Sequence, residues 1–360
     1  MSWRRSSPST TLATRLVTRL SGTSRIFLAV LIAVAGIRSA GAETLNEQRE
    51  LLYDSLRKTH QLEEAELRQI KTIFGQSRVL GQGNPAISEH PYSKAECRRV
   101  RREKVQVDRQ RERTFEQICG DRHMAPLFDP ETELPAKARA CIDQYEFPNI
   151  PCEYPVVWVR ANEAAALCSA VGKRLCDAHE WEGACAGRLL APDYAFDSRE
   201  DIAVAYRLRA MRISHNEKWS PQRRWSYGVT ARNGICAMNS TKSSACNGGD
   251  WQRCGSNTYP AGMFPECSSP LGGYDFHGNA AEHMNLPANK QQMASSASGQ
   301  LGHTEMKGSW FIWDRFPAHP DWCRWRAPYW HGTRISSERS HRNYHLGFRC
   351  CKSLPTADAS

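Results

Sequence analysis

The 360-residue chain has no Cys-x-x-Cys pair, no acidic residue in its first 42 positions, no apolar run beyond twelve residues, and no internal repeat or low-complexity tract. Zinc ribbons depend on Cys-x-x-Cys spacing, so its absence leaves the fourteen cysteines to another role. The apolar run Ile26–Ile37, at about 1.5 Å per helical residue, would reach roughly 18 Å, short of a ~30 Å hydrocarbon core. A membrane anchor is therefore not expected. The shortage of acid at the start also explains the net charge of +10. Six arginines fall in the first 42 residues, and the rest of the chain carries 42 basic against 38 acidic residues. So mild an excess gives no strong electrostatic reason to seek phosphate, and nucleic acid is not an expected partner.

What is present points to export. Arg4, Arg5, Arg15, Arg19 and Arg25 precede the apolar run, and Ala40-Gly41-Ala42 supplies the small residues a signal peptidase accepts. Residues 1–42 read as a secretory signal, with cleavage before Glu43, a periplasmic or secreted product, and no transmembrane segment after cleavage. An even number of cysteines in an exported chain permits seven disulfides. Nearness in sequence suggests Cys97 with Cys119 and Cys141 with Cys152.

A composition of 40% hydrophobic, 24% charged and 9% aromatic residues is enough to bury a core. Residues 43–140 read as a helical region. Thr44-Leu45-Asn46-Glu47 and Ser93-Lys94-Ala95-Glu96 have the form of capping boxes, which satisfy backbone donors at a helix start. Two helices are expected there, separated by a Gly- and Pro-containing loop over 75–92. Basic residues crowd Arg98 to Arg113; a solvated helix face is the plain explanation and an anionic surface the alternative. From Cys141 the texture changes to short apolar runs, many tryptophans and frequent turn residues. Asn162 to Ala170 reads as a helix stopped by Gly172, and Asp177-Ala178-His179-Glu180 as a third capping box. Beyond Gly187 the sequence reads as turns and loops, which need disulfides or bound ions as staples. The domain is placed at 141–352 and a disordered tail at 353–360.

Four motifs in order carry a resemblance. They are Ile142-Asp143-Gln144-Tyr145-Glu146-Phe147-Pro148-Asn149; Cys168 through Gly172-Lys173-Arg174-Leu175 to Glu180-Trp181-Glu182; Gly273-Tyr274-Asp275-Phe276-His277-Gly278-Asn279-Ala280-Ala281-Glu282; and Lys307-Gly308-Ser309-Trp310 with Cys323 to Arg326 and Gly347-Phe348-Arg349-Cys350. Together they resemble the formylglycine-generating enzyme, or sulfatase-modifying factor, family. The resemblance implies an α+β, loop-rich, C-type-lectin-like domain, here preceded by N-terminal helices. It also implies disulfides Cys168–Cys350 and Cys185–Cys323, although the adjacent Cys351 leaves the first open to a slip of one. A calcium ion is implied at Asp275, Gly278, Ala280 and Glu282, because hard cations take converging oxygen donors; a plain hydrogen-bonded turn is the alternative. His277 and His283 flank that loop and read as structural. A second calcium site near Asn239 and Asp250 is too poorly matched to assign.

The family's chemistry, as the resemblance implies it, runs through copper(I) on two further cysteines between the Gly-Ser-Trp and Arg-Cys motifs. Residues 310–322 contain no cysteine, so copper is not expected and formylglycine formation by that route is not expected. His319 with Asp314 or Asp321 is a weak substitute. His341 and His345 stand at i, i+4, but their context looks like a loop rather than a metal-binding helix face. The H-x-x-x-H-x-E motif of iron-dependent sulfoxide synthases is absent. Trp310, Trp313, Arg315 and Arg326, within a dense set that includes Trp322, Arg324, Trp325 and Trp330, suggest a groove for a small-molecule, glycan or peptide ligand, with core packing as the alternative. The function that follows is a non-catalytic binding or scaffold module of the periplasm; the alternative is an enzyme of the same fold with cysteine-independent chemistry, such as oxidative maturation of a secreted product.

Overall fold

The computed structural model describes residues 43–106, 108–196, 202–317, 320–327 and 332–355. Residues 1–42, read above as a secretory signal, together with His319, Trp330 and the last five residues, lie outside the described residues.

Thr44 starts helix α1 (Leu45–His60) with a reciprocal capping box to Glu47, and Gln61 in left-handed geometry stops it before α2 (Glu64–Gln76). Ser93 and Glu96 form the same device at α3 (Lys94–Lys104). The charged segment then breaks. The Asp108 carboxylate accepts from the N–H groups of Gln110 and Arg111, starting α4 (Arg109–Cys119), which ends at left-handed Gly120. Four helices therefore stand where two were expected, because an internal stop and an internal N-cap divide each stretch.

Leu52, Leu56, Leu67, Ile70 and Phe74 are buried in one cluster with Ala164, Leu167, Ile335 and Phe348. The N-terminal helices thus share a core with residues almost 300 positions away. Two small sheets organise the remainder. The first is antiparallel, in the order β1 (Met124–Leu127), β2 (Ala140–Asp143), β7 (Cys350–Ser353), β3 (Arg174–Leu175). In the second, β4 (Ala281–Leu286) lies between antiparallel β5 (His303–Lys307) and parallel β6 (Leu346–Phe348). Helices α5 (Ala161–Ala170) and α6 (Ala178–Ala186) bracket β3, and Asp177 with Glu180 caps α6. The architecture is α+β.

Helix α7 (Val204–Trp219) occupies a region read as loop. Its buried positions, Leu208, Met211, Arg212 and His215, do follow helical spacing. Two of the four are polar, and Tyr206 and Ile213 are exposed, so hydrophobicity alone does not mark the face.

All fourteen cysteines are paired: Cys97–Cys152, Cys119–Cys141, Cys168–Cys350, Cys176–Cys351, Cys185–Cys323, Cys236–Cys267 and Cys246–Cys254. The pairings suggested by nearness, Cys97 with Cys119 and Cys141 with Cys152, are corrected. Helix α4 packs on β1, which pairs with β2, and this brings Cys119 to Cys141 and leaves Cys97 on α3 to Cys152. Cys350 and Cys351 are neighbours on a strand and so point to opposite faces, one into the α5 core and one into the α6 core. Seven disulfides suit an oxidising compartment. No helix among the described residues is long and apolar enough to cross a membrane.

Candidate functional site

The loop from Asp275 into β4 is built from unusual backbone. Asp275, Gly278 and Asn279 all have positive φ. A Cβ on Gly278 would lie 2.5 Å from the Ala237 carbonyl oxygen, so glycine is required there for space as well as conformation. Asp275 Oδ2 accepts from the Gly262 N–H at 2.5 Å. Glu282 accepts from Arg349 Nε and Nη2, each at 2.7 Å to one oxygen, and from Trp181 Nε1 at 2.9 Å. A third carboxylate, Glu146, accepts from the Ala280 N–H at 2.7 Å and from Asn279 Nδ2 at 2.6 Å.

All three carboxylates are buried, and all three are raised above the ordinary carboxylate range. Burial, then repulsion from Asp275 and Glu282, pushes Glu146 well up. Burial raises Asp275 to about 6, and it raises Glu282 even against Arg349. The loop thus holds more buried negative charge than Arg349 answers. The calcium ion implied by the resemblance would answer that surplus, with Asp275 and the carbonyl oxygens of Gly278 and Ala280 as its donors. Glu282 would add a carboxylate that already carries Arg349.

Downstream, residues 309–323 pack on this loop. The Gly278 N–H donates to Ser309 Oγ at 2.8 Å, and Ser309 Oγ donates to Asp321 Oδ2 at 3.1 Å. Trp225 Nε1 donates to Asp321 Oδ1 at 2.9 Å. The Ser226 N–H donates to His277 Nε2 at 3.0 Å, which makes Nε2 the acceptor and leaves the proton on Nδ1, 3.4 Å from Asp321 Oδ2. The same ring lies 3.4 Å from the sulfur of Cys185 and 3.8 Å from that of Cys323. This is a closed polar brace around a disulfide. Asp321 is engaged within it, and His277 is fully buried.

The four residues expected to line a groove do not come together in one. Arg326 is fully buried and forms a double hydrogen bond with Glu182, so its assignment to a groove is corrected. Trp310 packs against His345 with ring centroids 3.9 Å apart, Trp313 packs beside the Cys236–Cys267 disulfide, and Arg315 donates to Asn239 Oδ1 at the surface. His341 and His345 sit in irregular chain before β6, not on a helix.

A cleft that the sequence reading missed lies nearby. Its volume is about 550 Å³, and its walls come from the neighbours of two half-cystines: Ala186 beside Cys185, and Trp322 and Arg324 on either side of Cys323. Glu131, Arg188, Trp219, Gln222, Arg223 and Arg224 complete its polar wall, and Leu190, Pro221 and Val229 supply apolar surface. The signal available in the sequence was the run from Lys218-Trp219 to Arg223-Arg224-Trp225, dense in basic and aromatic residues.

Residues 137–354 match the model of the sulfatase-modifying factor enzyme 1-like domain. The chain belongs to the sulfatase-modifying factor family. No curated protein matches it. Within this family the resemblance drawn from the sequence implies copper(I) on two thiolates, and the residues here do not fit that metal. Ile312 and Trp313 fill the segment after Ser309, and no cysteine among the described residues is free.

Proposed function

We propose that this sulfatase-modifying factor domain is an exported, non-catalytic binding or scaffold module. The observation that carries the reading is the commitment of all fourteen cysteines to disulfides, because an oxidised cysteine is no thiolate ligand. In support, the brace around the Cys185–Cys323 disulfide, made of the Ser309–Asp321 and Ser226–His277 hydrogen bonds and the 3.4 Å approach of His277 to Asp321, holds structure rather than presents a reactive group. Export is supported by the basic start, the short apolar run and the small residues before Glu43. A structural calcium ion at Asp275, Gly278, Ala280 and Glu282 belongs to the same reading.

The test is incubation of the mature chain with copper(I), oxygen and a peptide bearing the sulfatase cysteine motif, followed by mass spectrometry. The peptide is expected to keep its mass, and conversion to the aldehyde would overturn the non-catalytic reading. N-terminal sequencing of exported protein is expected to begin at Glu43, and recovery of an intact Met1 would overturn the signal assignment.

A further inference from the structure

The cleft beside the Cys185–Cys323 disulfide carries a charge imbalance. Arg188 is answered by Asp129 at 2.8 Å and Glu131 at 2.5 Å. Among the described residues Arg223, Arg224 and Arg324 have no carboxylate within ion-pair distance. Arg224 Nη1 donates to the Ala186 carbonyl oxygen at 3.3 Å, and Arg324 Nη2 to that of Arg188 at 2.9 Å. Arg324 is only 9% exposed, and its guanidinium lies 4.5 Å from the centre of the Trp219 ring. Burial weakens its hold on the proton, and Glu182 and Asp193, beyond ion-pair distance, offset this only in part. Three like charges around one concavity repel one another, and an anion entering it removes that cost.

The dimensions say what kind of anion. A volume of about 550 Å³ falls in the range of organic-ligand sites and far exceeds the needs of an inorganic ion. The guanidinium fork matches the paired oxygens of a carboxylate or sulfate. Leu190, Pro221 and the exposed Val229 give the same cleft an apolar wall against which the CH face of a ring can lie.

We propose that this cleft binds an acidic saccharide, its carboxylate or sulfate on Arg223, Arg224 and Arg324 and its ring against Pro221 and Val229. The assignment deepens the binding-module reading and rests on it only for its purpose. The test is calorimetric titration of the full mature chain with trigalacturonate, with a sulfated heparin disaccharide, with the uncharged trisaccharide counterpart, and with sodium sulfate. At least one acidic saccharide is expected to bind, more weakly as salt rises, and more tightly than either sulfate or the uncharged sugar. Arg223→Glu, at an exposed position, is expected to keep the wild-type melting temperature and to weaken binding at least tenfold. Arg324→Gln should weaken it as well, with circular dichroism verifying the fold. Absence of binding by both acidic saccharides, equal binding of sulfate alone or of the uncharged sugar, or an Arg223→Glu variant that binds as well as wild type would each overturn the assignment. Peptide turnover in the copper assay would remove the non-catalytic reading and leave these binding results standing, so the two failures are distinct.

Discussion

Arg326 donates from both Nε and Nη2 to the carboxylate of Glu182, at 2.8 and 3.0 Å, with both side chains buried. Lys307 adds a contact to the same carboxylate at 3.1 Å, and Arg326 also reaches Asp193 at 3.1 Å. Burial alone would raise the Glu182 carboxyl, but Arg326 and Lys307 overcome it and hold the group far below the usual carboxylate range. Asp193 is depressed in the same way, burial being outweighed by His215 and Arg326. For a carboxylate with a depressed folded-state pKa, the stabilisation is complete above the unfolded value, near ~4. It is lost as pH falls below that. The melting temperature is therefore expected to drop steadily as pH is lowered below about 4, and Arg326→Met should cost about 3–5 kcal/mol at neutral pH by taking from Glu182 its two-bond partner, with Lys307 alone left to answer it closely. Urea unfolding of both proteins across that range checks the pair; an unchanged midpoint in Arg326→Met would contradict it.

The N-terminal helices provide a second test. Phe74 is fully buried, meets the Tyr53 ring edge-on at 5.4 Å, and shares a cluster with α5 and β6. Phe74→Ala is expected to destabilise the whole protein by about 3–5 kcal/mol in a single transition. A separate early transition, leaving the later domain at its normal midpoint, would show that the helices fold apart from it.

The α+β class was legible through the family motifs, and the helices at the capping boxes because their signals are local: a hydroxyl or carboxylate three residues before a Glu is readable in any window. The same holds for Cys185 and Cys323, whose family motifs surround them. Helix α7 was not legible, because Arg212 and His215 stand on its buried face, satisfied by Glu305 and Asp193 from distant segments. Arg326 was misplaced for the same reason. An arginine among tryptophans reads as surface unless its acid, 144 residues earlier, is known to face it. The cleft was missed because its walls come from α6, the end of α7 and residues 322–324, which only the fold brings together.

Non-reducing peptide mapping gives a third test. Seven links are expected, among them Cys97–Cys152 and Cys119–Cys141 in place of nearest neighbours in sequence. Replacing both Cys168 and Cys350 by alanine is expected to cost about 2–5 kcal/mol, since the link closes a loop of 182 residues and restrains the unfolded chain. A map containing Cys97–Cys119 would contradict the packing of α4 on β1.

The last test concerns the Asp275 loop. Glu146, Asp275 and Glu282 are buried together, while Arg349 bonds to Glu282 and the Gly262 N–H to Asp275. Hydrogen bonds from neutral donors orient these oxygens but do not cancel their charge; on the calcium reading proposed above, a hard divalent cation would be their complement, taking Asp275 and the carbonyl oxygens of Gly278 and Ala280. A ligand that binds only the folded state, supplied at about 100 times its dissociation constant, adds about 2.7 kcal/mol. For a chain of this size, that corresponds to a melting shift of several degrees. Chelation is therefore expected to lower the melting temperature of wild type by several degrees, with calcium restoring it. Asp275→Asn keeps an oxygen for the Gly262 N–H while removing the charge, so it should melt alike with and without chelator. Zinc and magnesium controls separate a hard-cation site from nonspecific stabilisation. If wild-type protein melts identically in calcium and in chelator, the loop is a hydrogen-bonded turn, and its three acids must be balanced by protons and by Arg349.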